Sequence, residues 1–447
     1  MDTSSNSGNK PKLAKGLAGK LGFYSGRTFG GFIAIVLSGQ LFYTCLQALR
    51  GPFYNQLLQM LHVNNTQFGM LFTITSISSF LTIPGGWVMN RYSVKSILIT
   101  CLSIRCLTIL LMVYGHLNVT GLYVLAAFWA LIQSVFFPSV LNGVALLSNK
   151  DNKSTAFGIL ESARRLLQMV LDWILIGVIA WLTPTFGGIP TFQFMLLIYD
   201  LLLIPLIFWI AKYVPKNGIA AEEKGKKGKG VDALAGLGKV LIMPKLWIAA
   251  LTALTIYWLS LQQNYAVPFL QNAMHVNKGA ASFFGTISSE GIGIIAALLS
   301  GILADKWLHS TSKMIMVGLA LVLIASILEI IMSKTPAMGG WMMAIIAIQS
   351  FGMFTAKGVY MVPASKVPMP EKYRGGAMSV NSFVAYLPNL FALTWVGHIL
   401  DSNKPVAAYN QIWTISAIVA AAGFLLAMFT LRDENKQKKA KATAATK

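Results

Sequence analysis

The sequence predicts an all-α membrane protein with twelve transmembrane helices in two six-helix bundles and both termini in the cytoplasm. Two observations support this: the composition is too apolar for a soluble chain of this length, and a loop motif of the first half recurs in the second. Of the 447 residues, 55% are hydrophobic and 11% are charged, and the mean hydropathy is +0.63. Because unpaired backbone groups are costly in a bilayer, its apolar spans of about 20 residues must be helices.

Twelve apolar stretches are long enough to cross a membrane as helices. Transmembrane β-strands would instead give segments of roughly 10 residues with alternating hydrophobicity, and the sequence does not show this pattern. The predicted spans, numbered 1 to 12 in chain order, are 29–60, 67–90, 96–115, 121–148, 154–182, 190–212, 246–271, 280–305, 313–333, 340–364, 374–400 and 408–431.

The distribution of basic residues predicts the orientation. The net charge is +21, and most of the 36 lysines and arginines fall in the termini, the central loop and one alternate set of connecting loops. The opposite loops contain only Lys278, Lys334 and Lys404. By the positive-inside rule the basic set marks the cytoplasmic side of a multi-pass protein of the plasma or inner membrane. The charge thus reflects topology and contact with membrane lipid, and no nucleic-acid partner is expected.

A polar, glycine- and lysine-rich stretch at 213–245 separates two blocks of six spans and is typical of a linker. We therefore expect a cytoplasmic N-terminal tail at 1–28 and an N-terminal six-helix bundle at 29–212. The linker then leads to a C-terminal six-helix bundle at 246–431 and a basic cytoplasmic tail at 432–447.

The two blocks share sequence motifs at corresponding places. The loop after span 2 reads GGWVMNR at 85–91, and the loop after span 8 reads GILADK at 301–306. The tripeptide HVN follows span 1 at 62–64 and span 7 at 275–277. A parallel repeat of six helices places the pseudo-symmetry axis along the membrane normal and a pathway between the halves.

On these paired motifs the chain resembles the major facilitator superfamily of transporters. The resemblance implies two bundles that rock about a central site, with spans 1, 4, 7 and 10 around the cavity and spans 3, 6, 9 and 12 outside. AFGILESAR at 156–164, KGVY at 357–360, YLPN at 386–389 and Arg50 are similar to a narrower branch, which contains organophosphate–phosphate antiporters and sugar-acid carriers.

Ionisable side chains inside spans are the first candidates for function, because each costs roughly 2.5–3.5 kcal/mol at a helix centre. Arg50, in the outer half of span 1, has no acid within helical reach, and its guanidinium suits a phosphate, sulfonate or carboxylate. Lys357 in span 10 offers a second anion contact. The alternatives are an ion pair between Arg50 and an acid such as Glu290, and a lysine that reaches the cytoplasmic interface.

Polar and aromatic residues of spans 1, 7 and 10 complete the predicted substrate site. Span 7 is unusually polar, although side chains that bond between helices would also explain this. Gln263 or Asn264 occupies the repeat position of Arg50, where phosphate-exchanging members of the family carry a second arginine, and this departure argues against a dianionic phosphate. The predicted substrate-binding residues are Arg50, Gln47, Tyr54, Gln262, Gln263, Tyr265, Lys357 and Tyr360.

Acidic residues of spans 5 and 8 are candidates for gating and coupling. Glu161 lies one turn before Arg164 and Arg165, and a carboxylate beside two arginines is a poor proton carrier, so a structural or gating role is expected for these three. Glu290 has no basic residue near it in sequence and is the better proton-coupling candidate, unless another helix supplies a cation.

Three other intramembrane acids, Asp172, Asp200 and Glu329, rank lower. Spans 6 and 9, which carry Asp200 and Glu329, are expected at the periphery of the bundle. These two residues are therefore expected to pair with Arg105 or to lie near an interface.

The repeated loop motif has a predicted mechanical role. Asp305 can meet a helix N-terminus and Lys306 a carboxylate, which would latch the cytoplasmic ends of the halves together in one conformational state. In the first copy Asn90, followed by Arg91, replaces the family's usual aspartate, so that latch should be weaker by about 1 kcal/mol or less. The alternative is that both are simple loop caps.

The sequence contains no metal-ligand spacing, nucleophile motif or phosphate loop, so neither an enzyme nor a cofactor or metal is expected. The predicted function is secondary active transport of a small organic anion, coupled to a proton or a counter-anion, by a monomer. Export of amphipathic compounds, which 20 methionines and 11 tryptophans would suit, is one alternative. A membrane receptor that binds without transporting is the other.

Overall fold

The computed structural model describes residues 25–147, 153–216 and 241–445. Within these ranges every regular element is a helix. Eleven helices there are long and apolar enough to cross a membrane, and the remaining predicted span, span 2, forms a pair of helices, Asn65–Ser76 and Ser78–Arg91. The expected all-α membrane fold is therefore confirmed.

The N-terminal half contains spans 1 to 6. Span 1 changes from α-helix to a π-helical turn at Thr44–Ala48 and restarts at Tyr54, so that Arg50 lies on irregular backbone. Such π-turns occur frequently at functional sites. The helices are Gly26–Tyr43 and Tyr54–Leu61 in span 1, Asn65–Ser76 and Ser78–Arg91 in span 2, Val94–Tyr114 in span 3, Val119–Leu147 in span 4, Lys153–Phe186 in span 5, and Gly188–Leu201 and Leu203–Tyr213 in span 6.

The C-terminal half contains spans 7 to 12. Span 7 is interrupted by a 3-10 turn at Gln263–Tyr265, and span 8 by a π-turn at Ile287–Gly291 that holds Glu290. The α-helices are Pro244–Gln262 and Ala266–Asn272 in span 7, Lys278–Thr286 and Ile292–Ile302 in span 8, Thr311–Met332 in span 9, Gly339–Val359 in span 10, Glu371–Tyr386 and Ala392–Ser402 in span 11, and Pro405–Ala445 in span 12.

The predicted N-terminal tail and linker lie mostly outside this description. Residues 1–24 of the N-terminal tail and 217–240 of the linker are not among the described residues. At the other end, the helix of span 12 continues to Ala445, through most of the predicted tail at 432–447.

The HVN repeat has a backbone explanation. His62 and His275 both adopt a left-handed conformation, with φ of 52° and 53°, directly after the last helix of span 1 and three residues after that of span 7. Asn64 then accepts a hydrogen bond from the Gln67 amide, and Asn277 accepts one from the Gly279 amide, so each asparagine caps the next helix. The motif therefore stops one helix and starts another within three residues.

Spans 1, 7 and 10 are the most deeply buried of the eleven candidate spans. This agrees with their expected place around a central cavity. The two halves meet between spans 2 and 11, at the ends remote from residue 25 and from the C-terminal end of the span 12 helix. We call this the outer side and the opposite, predicted cytoplasmic side the inner side.

Two glycines allow the backbones of spans 2 and 11 to touch on the outer side. A Cβ atom on Gly69 would lie 2.3 Å from the carbonyl oxygen of Leu393, and one on Gly397 would lie 2.3 Å from that of Asn65. Any larger side chain would push the spans apart. Glycine therefore sets how tightly the two halves close.

Asp401, at the end of span 11, closes the same contact by capping span 2 of the other half. Its Oδ1 accepts from the backbone and side-chain nitrogens of Asn65, at 3.1 and 2.7 Å. Its Oδ2 accepts from the Thr66 amide at 2.8 Å and from the Thr66 hydroxyl at 2.6 Å. A carboxylate at a helix N-terminus is favoured both by these bonds and by the helix dipole. The structure is thus closed on the outer side.

Replacing Asp401 with alanine should favour opening of the outer side. Losing a helix cap costs about 1 kcal/mol, which corresponds to a roughly fivefold larger open population. Spin labels at Thr120 and Lys334, which are exposed at the outer ends of opposite halves, would report the separation by pulsed electron paramagnetic resonance. Asp401→Asn, which keeps one acceptor oxygen, should have a smaller effect, and identical distance distributions in all three proteins would contradict the assignment.

Candidate substrate site

A cavity of about 420 Å³ lies between the two halves. A smaller lobe of about 190 Å³ adjoins it, and the two share Gln47, Arg50, Arg165 and Glu290 in their walls. A third space, of about 690 Å³, extends toward the inner ends of spans 2, 4 and 11. Because the outer side is closed, substrate would reach the cavity in this state from the inner side.

Arg50 lines both the main cavity and the smaller lobe. Its Nε donates to Asn264 Oδ1 at 3.1 Å, and its guanidinium lies 5.1 Å from the ring centre of Phe72. Within the described residues no carboxylate lies within 4 Å of it. Asn264 is one of the two residues of span 7 that correspond to Arg50 in the sequence repeat, so this hydrogen bond joins equivalent positions of the two halves. The guanidinium therefore retains donor capacity toward the cavity.

Gln47 is held in place by a buried arginine behind it. Arg105 donates to Gln47 Oε1 at 2.9 Å and to the Phe42 carbonyl at 3.1 Å, and its guanidinium stacks 3.8 Å from the ring of Trp129. The cation is thus stabilised by carbonyl and aromatic groups. It fixes the Gln47 amide at the edge of the cavity.

Lys357 and Gln263 line the smaller lobe from spans 10 and 7. Lys357 Nζ donates to Ser260 Oγ at 3.0 Å and lies 5.1 Å from the ring of Tyr257. Gln263 Nε2 donates to Ser288 Oγ at 2.9 Å and also bonds Ser350 Oγ. In the described part of the chain, Lys357 has no carboxylate within 4 Å. The structure thus brings Arg50, Gln47, Gln263 and Lys357 to one cavity.

The other four predicted substrate-binding residues line neither lobe. Tyr54 donates to Asn65 Oδ1 at 2.9 Å, in the outer closure, and Tyr265 bonds the Leu393 carbonyl there at 3.3 Å. Gln262 is buried in span 7, and Tyr360 lies 3.4 Å from another tyrosine hydroxyl, that of Tyr386. Their positions are determined by contacts between helices, which sequence spacing does not reveal.

A chain of ion pairs crosses from span 5 to span 8. Arg165 lies 3.6 Å from Glu161 Oε1 and 3.5 Å from Glu290 Oε2, so that it joins an acid of its own helix to one of the other half. Arg164 lies 3.4 Å from Glu161 Oε2 and 5.1 Å from the ring of Phe137. The structure therefore supplies Glu290 with a cation from another helix. The sequence analysis favoured Glu290 as the proton-coupling residue only if no such cation was present.

Arg105 does not form the ion pairs expected for it. In the described residues neither Asp200 nor Glu329 lies within 4 Å of it, although both are fully buried. Glu329 instead accepts from Gln349 at 2.7 Å, between spans 9 and 10. The carboxylate oxygens of Asp200 have no hydrogen-bond partner in the described structure. Span 3 places Arg105 toward Gln47 rather than toward either acid.

The loop residues of the predicted latch lie on the inner side. Asp305 and Lys306 are exposed, and within the described residues they form no ion pair. Arg91 is exposed as well, and the side chain of Asn90 lies outside the described part of the structure. The predicted latch would close the inner side, whereas this structure is closed on the outer side. The role of these loop residues therefore stays a prediction.

Several cavity residues were not singled out from the sequence. These residues are uncharged, and their side chains are polar or aromatic. For most of them, the sequence feature that could have identified them is a polar residue inside an apolar span. In the described residues no cluster of His, Cys, Asp or Glu could hold a metal ion. The added lining residues include Gln40, Tyr43, Gln133, Gln168, Tyr257 and Asn389.

Two bundles around a central polar cavity define a transporter fold of the alternating-access type. The chain belongs to the Major Facilitator Superfamily, whose family model matches residues 32–393. It is therefore a multi-pass membrane transporter protein rather than an enzyme.

Similar proteins include two from Escherichia coli K12. The inner membrane protein YihN is 25% identical over 424 residues, which cover 91% of this chain and 96% of YihN. The inner membrane protein YqcE is 20% identical over 386 residues, covering 85% and 89%. Among solved structures, the nucleoside transporter NupG superposes with a TM-score of 0.71 at 12% identity, covering 90% of this chain and 99% of NupG. A bacterial homologue of the human lysosomal transporter Spinster gives 0.66 at 16% identity, covering 91% and 98%.

The ion pair between the halves should contribute more to stability than an exposed pair. Arg165 and Glu290 are only 24% and 21% exposed, so their attraction is less screened than that of Lys245 and Asp433, which are 51% and 29% exposed. A double-mutant cycle with Arg165→Gln and Glu290→Gln, measured by reversible thermal unfolding, should give a coupling energy of about 1 kcal/mol. The corresponding cycle at Lys245 and Asp433 should give less than about half of that, and equal couplings would contradict the prediction.

Proposed function

We propose that this protein is a secondary active transporter of the inner membrane that moves a small organic anion by alternating access. The substrate class is a sugar acid, a sugar phosphate or a carboxylate, and the energy comes from proton symport or anion exchange. The observation that carries the proposal is Arg50, which faces the central cavity and has no carboxylate partner within 4 Å in the described residues. The narrower resemblance to organophosphate and sugar-acid carriers supports the same class.

The balance of charge around the cavity favours an anion. Arg164 and Arg165 are offset by Glu161 and Glu290, so that among the described residues lining the cavity Arg50 and Lys357 are left without a carboxylate within 4 Å. The second positive charge, which phosphate-exchanging relatives place on span 7, comes here from Lys357 of span 10. A phosphate therefore stays within the proposed substrate class, despite the amide residues at the repeat position of Arg50.

The size and lining of the cavity suit a hydroxylated molecule. Its volume of about 420 Å³ lies within the range of roughly 300–1,000 Å³ typical of small-molecule sites. Gln40, Gln47, Gln133 and Asn389 present amide groups that can donate to or accept from hydroxyls. Phe72 supplies an apolar wall beside Arg50. This arrangement fits a sugar-like body with one charged end.

Arg165 offers a link between binding and movement of the halves. It bonds Glu161 of its own span and Glu290 of the other half, and it also faces both lobes of the cavity. An anion that binds in the cavity would compete with Glu290 for this guanidinium. Binding would then weaken a bond that joins the two halves and ease their rearrangement.

Replacing Arg50 should remove anion binding without unfolding the protein. Gluconate, glucose 6-phosphate and neutral glucose form a matched panel for calorimetric or thermal-shift titration of the purified protein. We expect at least one of the two anions to bind and glucose not to bind. Arg50→Gln should weaken that binding by about 10- to 100-fold, the range for a hydrogen bond to a charged group, and Arg50→Lys should weaken it less.

Lys334→Gln, which removes an exposed cation of the outer side, controls for the change in net charge and should bind as the wild type does. Anion binding that survives Arg50→Gln unchanged would remove Arg50 from the site. Binding of tetraphenylphosphonium in place of both anions would favour export of amphipathic compounds. Anion binding without accumulation in proteoliposomes, under either a proton or a counter-anion gradient, would favour a receptor.

A further inference from the structure

Asp172 is a fully buried carboxylate at the interface between the two halves. It lies in span 5 of the N-terminal half, two turns beyond Arg165, and its side chain is 0% exposed. Gln168 Nε2 donates to its Oδ1 at 2.7 Å. Its Oδ2 lies 3.4 Å from the hydroxyl of Thr286, which belongs to span 8 of the C-terminal half. The carboxyl group therefore bridges the contact that must change when the halves rock.

Asp172 has no cation to offset a negative charge. In the described residues no lysine, arginine or histidine lies within 4 Å of it. The ionisable groups that face it are Glu290 from span 8 and Tyr199 from span 6, whose hydroxyl bonds the Leu171 carbonyl beside it. Span 4, which also packs on span 5, carries no charged residue. A charged carboxylate without a partner is costly in such a dry interface, and a neutral carboxyl group is not.

Span 1 reaches Asp172 only through neutral groups. Gln40 Nε2 donates to Gln168 Oε1 at 2.8 Å, and the Thr44 hydroxyl lies 3.3 Å from the same oxygen. The ionisable Cys45 of span 1 is directed toward the Leu196 carbonyl of span 6, at 3.7 Å. These bonds fix the Gln168 amide with its NH₂ group toward Asp172.

The hydrogen bonds of Thr286 also favour a protonated Asp172. The Thr286 hydroxyl has one hydrogen, and its oxygen lies 3.2 Å from the Ser282 carbonyl one turn earlier, which can only accept. When that hydrogen is donated to Ser282, the Thr286 oxygen can still accept one from Asp172. A protonated carboxyl group lets Thr286 make both contacts at once, whereas a carboxylate has to compete with the Ser282 carbonyl for the single hydroxyl hydrogen.

The contact between spans 5 and 8 thus has two layers. Arg165 and Glu290 form a charged layer that borders the cavity. Asp172 and Thr286 form a neutral layer on its outer side, because span 5 runs outward from Arg165 and span 8 runs inward toward Glu290. When the outer side opens, Asp172 and Thr286 would separate first, and the Arg165–Glu290 ion pair, which lies further inward, would separate later.

We propose that Asp172 binds the coupling proton and that its protonation permits closure of the outer side. The inference rests on the proposed transport function and identifies the coupling ion as a proton. With the outer side open, the carboxylate meets water and takes up one proton, forming an O–H bond. The neutral group then enters the closed interface and donates to Thr286.

Release completes the cycle on the inner side. The amide of Gln168 lines the main cavity and separates its water from Asp172. When span 5 shifts, the carboxyl group can lose its proton to that water and become charged again. One proton therefore crosses for each cycle of closure and release, and no other bond is made or broken.

The experiment follows the outer side directly and needs no substrate. Spin labels at Thr120 and Lys334 report its opening between about pH 5.5 and pH 8.5. The native cysteines Cys45, Cys101 and Cys106 are buried, which keeps labelling specific. The wild type should shift toward the short, closed distance as the pH falls. Asp172→Asn, which mimics the neutral group, should be closed across the whole range.

Three variants separate coupling from a structural role. Asp172→Glu should restore a pH-dependent distance, and Glu290→Gln should remain pH-dependent with a shifted midpoint, because it removes a charged group that faces Asp172. Thr286→Val, which removes the acceptor for the protonated group, should move the midpoint of closure to lower pH by up to about one unit. A wild type without any pH response, or a wild-type response in Asp172→Asn, would overturn the proposal. Because no anion is present, failure of the proposed anion function would leave this result unaffected.

Discussion

The contact between spans 2 and 11 on the outer side is the constraint on which the rest of the structure depends. Gly69 and Gly397 allow carbonyl groups of the opposing helix to approach a Cα atom directly, and Asp401 ties the end of span 11 to the start of span 2. Since spans 2 and 11 are in contact there, the main cavity opens toward the inner side. The cavity and its access follow from this closure.

Closure also determines which charged groups become functional. An unpaired ion is costly in hydrocarbon. An arginine or lysine that faces only amides and aromatic rings is therefore stabilised further when an anion binds beside it. Arg105 donates to Gln47 and to a carbonyl group and stacks on Trp129, and it lies behind the cavity wall rather than in it. Arg50 and Lys357 have weaker partners within the protein and open toward the cavity. That difference, rather than burial alone, separates Arg105 from the two cations that we propose bind the substrate.

Much of the architecture could be predicted from the sequence, because apolar length, loop charge and repeated motifs are local properties of the chain. The polar character of span 7 was visible for the same reason, whereas the interruption of span 1 around Arg50 was not predicted. Contacts across the two halves were not visible. Helical spacing gives the neighbours of Glu290 within span 8 but not Arg165 of span 5, and it assigned Tyr54 to the substrate site although that residue belongs to the outer closure.

The same limit applies to Asp172, because its contact with Thr286 of the other half is not visible in the sequence. Asp172 ranked below Glu290 in the sequence analysis, yet their different hydration gives the two acids of spans 5 and 8 different properties. Glu290 keeps 21% of its side chain exposed and has a cation at 3.5 Å, so it can remain charged while the halves move. Asp172 is fully buried and, among the residues that the structure describes, has no cation within 4 Å. A carboxyl group that must be neutral when the interface is dry, and can be charged when it is wet, ties its proton to the conformation of the protein.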